Sequence, residues 1–351
     1  MKKYQIKEVK EIYNHAGSKA VEDACRFAGE KGYEVLCIRQ RAVNKGFVNR
    51  VRNQIGFFFD WKKAYRRIEK NSLILLQNPF YGRQIGREMI LNKVKKHKKC
   101  NIISLVHDVA ELRVAYSGKY SNGEFQFMKQ NSDYFIIHND CMRKYLLERG
   151  FEDRRMVNLD IFDYGFDGDA PKRDGDKAEV VIAGNLEAKK CPYIYQLGKL
   201  NNRFSINLYG PNYEENNQDE YISYKGSFPS DEVPEKLNGR FGLIWDGEDL
   251  NECTGDTGKY LRYNNPHKAS LYLVSGLPII VWKEAAMAQL VEGNKLGFTV
   301  SSLEEIKAEI ESMSKEQYEE MLDNVCHIGR QLKSGYYLKK ALSKCEERIE
   351  A

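Results

Sequence analysis

Short apolar runs alternating with helix-like stretches, in two successive series, constrain this chain more than any other feature. The first series is Glu34–Ile38, Leu73–Gln77, Ile102–His107 and Tyr134–His138. Between them, Ser18–Lys31 places Ala20, Val21, Ala24, Cys25 and Ala28 on one helical stripe and stops at Gly32, a residue that ends helices readily. Asp140–Arg149, closed by Gly150, has the same form. The second series is Glu179–Ala183, Ser205–Tyr209, Ile222–Lys225, Phe241–Trp245, Pro278–Trp282 and Phe298–Val300. A helical pattern then runs from Lys315 to the end, broken at Ser334-Gly335. Apolar strands that alternate with helices belong to parallel sheets covered on both faces. The Asp- and Gly-rich stretch 163–177 lacks any apolar run and reads as a linker. The pattern predicts an α/β chain of two Rossmann-like domains, 1–168 and 178–330, facing each other across a cleft. Ligands are then expected at the carboxyl ends of the strands.

Composition narrows the function classes. The 351 residues carry a net charge of +5, but residues 1–175 hold 34 Lys and Arg against 22 Asp and Glu, while the remainder holds 21 against 28. A basic half joined to an acidic half points to domains with different partners. No apolar run reaches the roughly 18 residues of a membrane-spanning helix. The start, with Lys2 and Lys3 but no apolar stretch after them, does not read as a secretory signal. The eight cysteines are scattered without a CxxC unit, which suits reduced thiols in core positions and a cytoplasmic location.

The most informative segment is Lys259–Val281. Asn265 suits an N-cap, Pro266 the first helical position, and Ala269–Val274 continues the helix to Gly276, before an apolar strand. A helix N-terminus offers N–H groups and partial positive charge, and Lys268 adds a full charge there. A diphosphate fits that combination; an ordinary capped helix with a solvated lysine fits the spacing too.

Asn265-Pro266-His267-Lys268, followed by Leu271-Tyr272-Leu273 and Gly276-Leu277-Pro278-Ile279-Ile280-Val281, resembles the donor-binding segment of GT-B glycosyltransferases. The closer resemblance is to the bacterial glucosyltransferase and β-1,6-galactofuranosyltransferase group that builds surface glycans. Segments 14–20, Gln77-Asn78-Pro79 and His107-Asp108 with Arg113 resemble its N-terminal domain. Ala183-Gly184-Asn185-Leu186, Tyr209-Gly210, Lys225-Gly226, Phe241–Gly247, Ile328-Gly329 and Ser334–Leu338 resemble its C-terminal half. Many GT-B enzymes hold the donor ribose with a glutamate, where this chain has Leu271, with Tyr263 at the partner position, so the nucleotide is gripped differently.

The resemblance implies transfer of glucose or galactofuranose from a UDP-sugar to a glycan, glycoprotein or lipid-linked acceptor, with inversion. It implies a donor site in the second domain built from Lys268, Asn265, Gly184, Asn185, Tyr209, Gly210 and Asp246. The acceptor falls to the first domain, and helix 331–351 returns to that domain. Asp108 or His107 would take the acceptor proton; Asp108 equally suits the N-cap of a helix beginning at Val109. Gly17 and Lys19 are candidate contacts to the donor phosphates or the acceptor. Asn14 and Arg113 are candidate acceptor contacts, with a surface role for Arg113 as the alternative.

Two Asp-Gly-Asp triplets, 167–169 and 174–176, evoke the metal motif of GT-A enzymes but sit in the polar stretch, and GT-B enzymes use protein cations instead. No metal and no other cofactor is expected. The basic, aromatic segment 46–67 suits a membrane surface, a subunit contact in a homo-oligomer, or the core; without a recognition motif, nucleic acid is not expected. A GT-B-fold subunit that binds a glycosyltransferase or its acceptor without chemistry is the competing reading.

Overall fold

The computed structural model describes residues 1–9, 16–42, 46–80, 82–109, 111–112, 119–169, 178–214 and 219–351. They form two compact units: Met1–His138 with Arg143–Leu159 and Leu338–Ala351, and Asn139–Met142 with Asp160–Tyr337.

The first unit is built on a six-stranded parallel sheet. Its strands are β1 (Lys3–Val9), β2 (Glu34–Arg39), β3 (Leu73–Asn78), β4 (Asn101–Val106), β5 (Tyr134–Ile137) and β6 (Met156–Asn158), in the order β2-β1-β3-β4-β5-β6. Helices α1 (Ala16–Glu30), α2 (Phe47–Arg67), α3 (Arg87–Lys98), α4 (Lys119–Asn131) and α5 (Asp140–Glu148) connect them. The chain moves outward from β1 to β2 and then returns to the other side of β1 at β3, so the strand order reverses between β1 and β3.

β1 is a strand that the hydropathy pattern conceals. Lys3, Gln5, Lys7 and Glu8 interrupt its apolar character, yet Tyr4, Gln5 and Ile6 are buried. The amide nitrogen of Gln5 is satisfied inside, where its Nε2 donates to Cys25 O and Tyr33 O, each at 3.0 Å.

The second unit has its own parallel sheet: β7 (Ala178–Ala183), β8 (Ile206–Tyr209), β9 (Ile222–Tyr224), β10 (Gly239–Ile244), β11 (Ile279–Trp282) and β12 (Gly297–Val300), in the order β12-β11-β10-β7-β8-β9. Its helices are α6 (Val233–Lys236), α7 (Gly255–Tyr260), α8 (His267–Val274), α9 (Ala288–Gly293), α10 (Ile306–Ser312) and α11 (Lys315–Lys333). Here the order reverses between β7 and β10. The last helix, α12 (Tyr336–Glu350), packs with the first unit from Leu338 onward. Tyr33 donates to Glu346 and Lys31 to Ser343, both at 2.8 Å, and Leu342 and Cys345 are buried.

Two features depart from the sequence reading. The stretch read as linker is packed over its described first part: Asp163, Tyr164 and Phe166 are buried in the second unit. Tyr164 stacks on His267 at 5.0 Å, and Lys333 Nζ donates to Gly168 O at 2.6 Å. The triplet 167–169 follows this packed run with Asp167 and Asp169 exposed, while 174–176 lies outside the described residues. The other departure concerns Asp108. Among the described residues, Val109 is not helical; Leu112 N bonds back to Val109 O at 3.0 Å, and the next described helix is α4.

At the reversal of the second sheet, α8 lays the Tyr272 ring over Gly242 of β10. A Cβ at Gly242 would lie 2.2 Å from Tyr272 Cγ. Gly242→Ala is therefore expected to cost about 1–3 kcal/mol, since the ring is held at its hydroxyl end and cannot step aside. Urea unfolding would show a lower midpoint with an unchanged slope.

Candidate active site

In the second unit, every strand is parallel, so Gly184-Asn185 after β7, Gly210 after β8 and Asp246 after β10 all emerge at the carboxyl edge. Gly184 N donates to Tyr209 O at 3.0 Å and Gly210 N to Gly226 O at 2.9 Å. Gly184 (φ 146) and Gly210 (φ 138) both adopt backbone conformations that disfavour side chains. A Cβ on Gly210 would sit 1.7 Å from Gly184 O, so the two turns touch and only glycine fits. Asn185 Oδ1 accepts from Glu187 N at 3.1 Å and from Asn212 Nδ2 at 3.0 Å.

Helix α8 crosses this edge. The Tyr272 hydroxyl accepts from Ala183 N at 2.8 Å and donates to Leu243 O at 3.2 Å, so it takes the place of a ladder bond between β7 and β10. One turn earlier, Lys268 Nζ donates to Asp246 Oδ1 at 3.1 Å and to Trp245 O at 3.4 Å. Desolvation alone would lower the lysine's pKa, but the Asp246 carboxylate, with smaller help from Cys191 and Tyr272, holds the ammonium above the ordinary lysine range. Both side chains keep 22% of their surface exposed, which leaves the pair within reach of a ligand. Cys191, whose Sγ donates to Asn185 O at 3.3 Å, lies nearby; burial and then Asp246 push its thiol up to about 11, so it is protonated and unreactive.

Asn265 does not cap α8. The cap position is Pro266, with φ −69 and ψ 139, and the helix starts at His267. The buried Asn265 side chain accepts from Asn139 Nδ2 at 2.7 Å and donates to Asp160 O. It fixes the entry of the helix and is spent within the protein. Tyr209 is likewise turned inward: its side chain is buried and its hydroxyl accepts from Asn238 N at 3.1 Å, leaving only its main chain at the edge.

In the first unit, His107 and Asp108 follow β4 at the carboxyl edge. His107 Nε2 donates to Gln77 Oε1 at 2.7 Å, and Gln77 Nε2 donates in turn to Val21 O of α1 at 3.2 Å. Lys19 is buried and paired with Asp23 at 2.9 Å. Gly17 lies within the first turn of α1 instead of preceding it. Asn14 and Arg113 lie outside the described residues.

His138, after β5, belongs to the same edge and escaped the sequence reading, which counted it only as the end of an apolar run. Its Nε2 donates to Val106 O at 2.9 Å. Burial pushes its pKa down to about 4, although the neighbouring Asp108 carboxylate favours the charged form. Tyr272 and Gln77 were also missed as organising residues. The only sequence trace of Tyr272's role is its place four residues after Lys268, one helical turn away. Among the described residues, no group of three or more His, Cys, Asp and Glu side chains could hold a metal ion.

Two parallel six-stranded sheets with helices make the two-domain α/β fold of GT-B glycosyltransferases. The chain belongs to the glucosyltransferase 3-like family, whose N-terminal domain matches residues 3–161 and whose C-terminal domain matches residues 180–345. It is 33% identical over 337 residues to the beta-1,6-galactofuranosyltransferase WbbI of Escherichia coli (strain K12), covering 93% of each chain. It is 28% identical over 331 residues to glucosyltransferase 3 of Streptococcus gordonii, covering 90% of this chain and 95% of that one. Among solved structures, HepE of Anabaena in complex with UDP and glucose has the same fold, with a TM-score of 0.60, 11% identity, and coverage of 99% of this chain and 100% of that one.

The His138 imidazole is held neutral in the folded state, whereas in the unfolded chain it takes up a proton near the ordinary histidine value of 6.5. Its contribution to stability is therefore complete above about pH 6.5 and falls by up to ~3 kcal/mol as the pH drops towards 4. His138→Gln keeps a donor for Val106 O and cannot titrate. Its unfolding free energy, measured from pH 7 to 4.5, should fall less steeply than that of the wild type.

Proposed function

We propose that the protein transfers a hexose, glucose or galactofuranose, from a UDP-sugar to a glycan, glycoprotein or lipid-linked acceptor of a bacterial surface polysaccharide, with inversion at the transferred carbon. The observation that carries this reading is the Lys268 ammonium, kept charged by Asp246 and still accessible in the first turn of α8. A diphosphate arriving there gains the lysine charge and the N–H groups of the helix start. The names of the two relatives supply glucose and galactofuranose as the sugars, and the Anabaena protein of this fold binds UDP and glucose, which supports a UDP-sugar donor.

Asp108 is the base in this reading. His107 beside it is the alternative, with its Nε2–H held by Gln77. The acceptor oxygen attacks the anomeric carbon while its proton passes to the Asp108 carboxylate. The bond from that carbon to the β-phosphate oxygen breaks on the opposite face, and the electron pair leaves with UDP. Lys268 and the start of α8 stabilise the charge on the departing diphosphate, the role a metal ion has in other transferases. Asn185 and the glycine turns at Gly184 and Gly210 complete the donor site.

UDP release from UDP-glucose or UDP-galactofuranose in the presence of an acceptor glycan tests the reading. Activity should persist in EDTA. Lys268→Ala should lower kcat/KM by about 100-fold or more and weaken UDP binding. Asp108→Asn should lower kcat by roughly 100-fold or more while the thermal shift produced by UDP is retained. A wild-type protein whose Tm responds to no UDP-sugar would sink the proposal, and donor binding without turnover would favour the non-catalytic alternative.

A further inference from the structure

Helix α2 has two apolar faces, and the core uses only one of them. Phe57, Trp61 and Ala64 point inward and are buried. At about 100° per residue, Phe47, Val51, Ile55 and Phe59 form a stripe on the other side, with Val48 beside it. Phe47 is 82% exposed, Phe59 61% and Ile55 55%. Ile85, 58% exposed, is brought to the stripe by Gln54, which donates to Arg83 O at 2.8 Å and accepts from Ile85 N at 2.9 Å. Val48, Val51, Arg52, Ile55 and Phe59, with Arg41, line a shallow depression of about 410 Å³. A contiguous exposed apolar surface rimmed by charge marks an interaction site.

The charge around the stripe is mostly positive, with Glu88 at the start of α3 the acidic exception beside Ile85. Beyond Phe59 the same outward side of the helix continues as Lys62, Lys63 and Arg66, all exposed, and Arg50 and Arg52 flank its first turns. The helix holds a single acidic residue, Asp60, which is paired with Arg41 at 2.7 Å. Neighbouring α3 adds exposed Lys93 and Lys96.

We propose that this face of α2 rests on an anionic lipid bilayer surface. Phe47, Val48, Val51, Ile55 and Phe59 enter the boundary between headgroups and acyl chains, and Lys62, Lys63 and Arg66 meet the lipid phosphates. An apolar helix face bordered by Lys and Arg binds such a surface by burial and by attraction together. A second copy of the chain fits the face poorly. Pairing α2 with itself in either direction sets basic residues against basic residues, with no free acidic partner on the helix. The proposal goes beyond the transferase reading and stands without it.

Co-sedimentation of the full chain with vesicles tests it. Vesicles of equal parts phosphatidylglycerol and phosphatidylcholine should bind the protein, and phosphatidylcholine alone should bind it at least about tenfold less, with binding weakened by salt. The double variant Phe47→Ser, Phe59→Ser should lose about tenfold or more in partitioning. Lys62→Gln with Lys63→Gln should lose about fivefold per charge removed. These side chains are exposed, so an unchanged unfolding midpoint is expected for both variants. Absence of sedimentation with the anionic vesicles, or equal binding to both vesicle types, overturns the proposal. So does a vesicle-independent dimer in light scattering that Phe59→Ser abolishes, which assigns the face to a second copy.

Discussion

The strand-end edge of the second unit depends on one phenol placed between two strands. Tyr272 passes its ring over Gly242 and inserts its hydroxyl between Ala183 N–H and Leu243 O, where the strand order of the second sheet reverses. Those two backbone groups are buried, and leaving either unpaired would cost about 1–3 kcal/mol, so the hydroxyl has one position in which all three groups are satisfied. The helix is thereby fixed in depth. Lys268, one turn earlier, then falls opposite Asp246 at 3.1 Å. Asn265 closes the arrangement at the start of the helix by tying it to Asn139 and Asp160. On the outer side, a Cβ at Gly329 would come 3.0 Å from Leu273 O, so α11 approaches α8 closely there. A charged lysine can be kept at the edge of a sheet because its position is over-determined in this way.

The first unit solves a related problem with side-chain amides and buried charge. Gln77 links His107 to the main chain of α1, and Asn78 Nδ2 donates to Ser104 Oγ at 2.8 Å. Further along the same edge, Arg87 and Glu124 form a buried ion pair that joins α3 to α4, with the guanidinium 4.6 Å above the Phe80 ring. Desolvation raises the Glu124 pKa despite Arg87, which shows how much such a pair gives up in leaving water. Removing one partner would strand the other, so the pair acts as a positional lock more than as a source of stability.

Much of this was legible in the chain. Nearly all the strands follow from apolar runs whose meaning is local, and the Gly after a run marks a turn at the edge wherever one occurs. Lys268 was legible because its signal, a lysine in the first turn after Asn-Pro, is also local. What the sequence did not show shares a cause. Asn265, Tyr209 and Lys19 have side chains that suit a ligand by type, and each also has a partner within the protein: Asn139 and Asp160 for Asn265, Asn238 for Tyr209, and Asp23 for the buried Lys19. The stretch 163–169 is polar in composition, yet Tyr164 and Phe166 are enough to bury its first part once His267 and Lys333 are presented to them. Strand β1 was hidden because the amide nitrogen of its buried Gln5 is taken up by carbonyls at Cys25 and Tyr33, which no window on β1 contains.

By itself, then, the sequence determined the alternation of strands and helices, the division of charge between the two halves, and the identity of the cation at the start of α8. These depend on residue type and on spacings of a few positions. The tertiary structure alone decided the order of the strands, the strand ends that meet at each reversal, and the polar side chains left with capacity for a ligand. Hydrogen-bond partners and burial are long-range properties: Tyr272 reaches Ala183 across 89 positions and Asn265 reaches Asp160 across 105, and no local pattern encodes either contact.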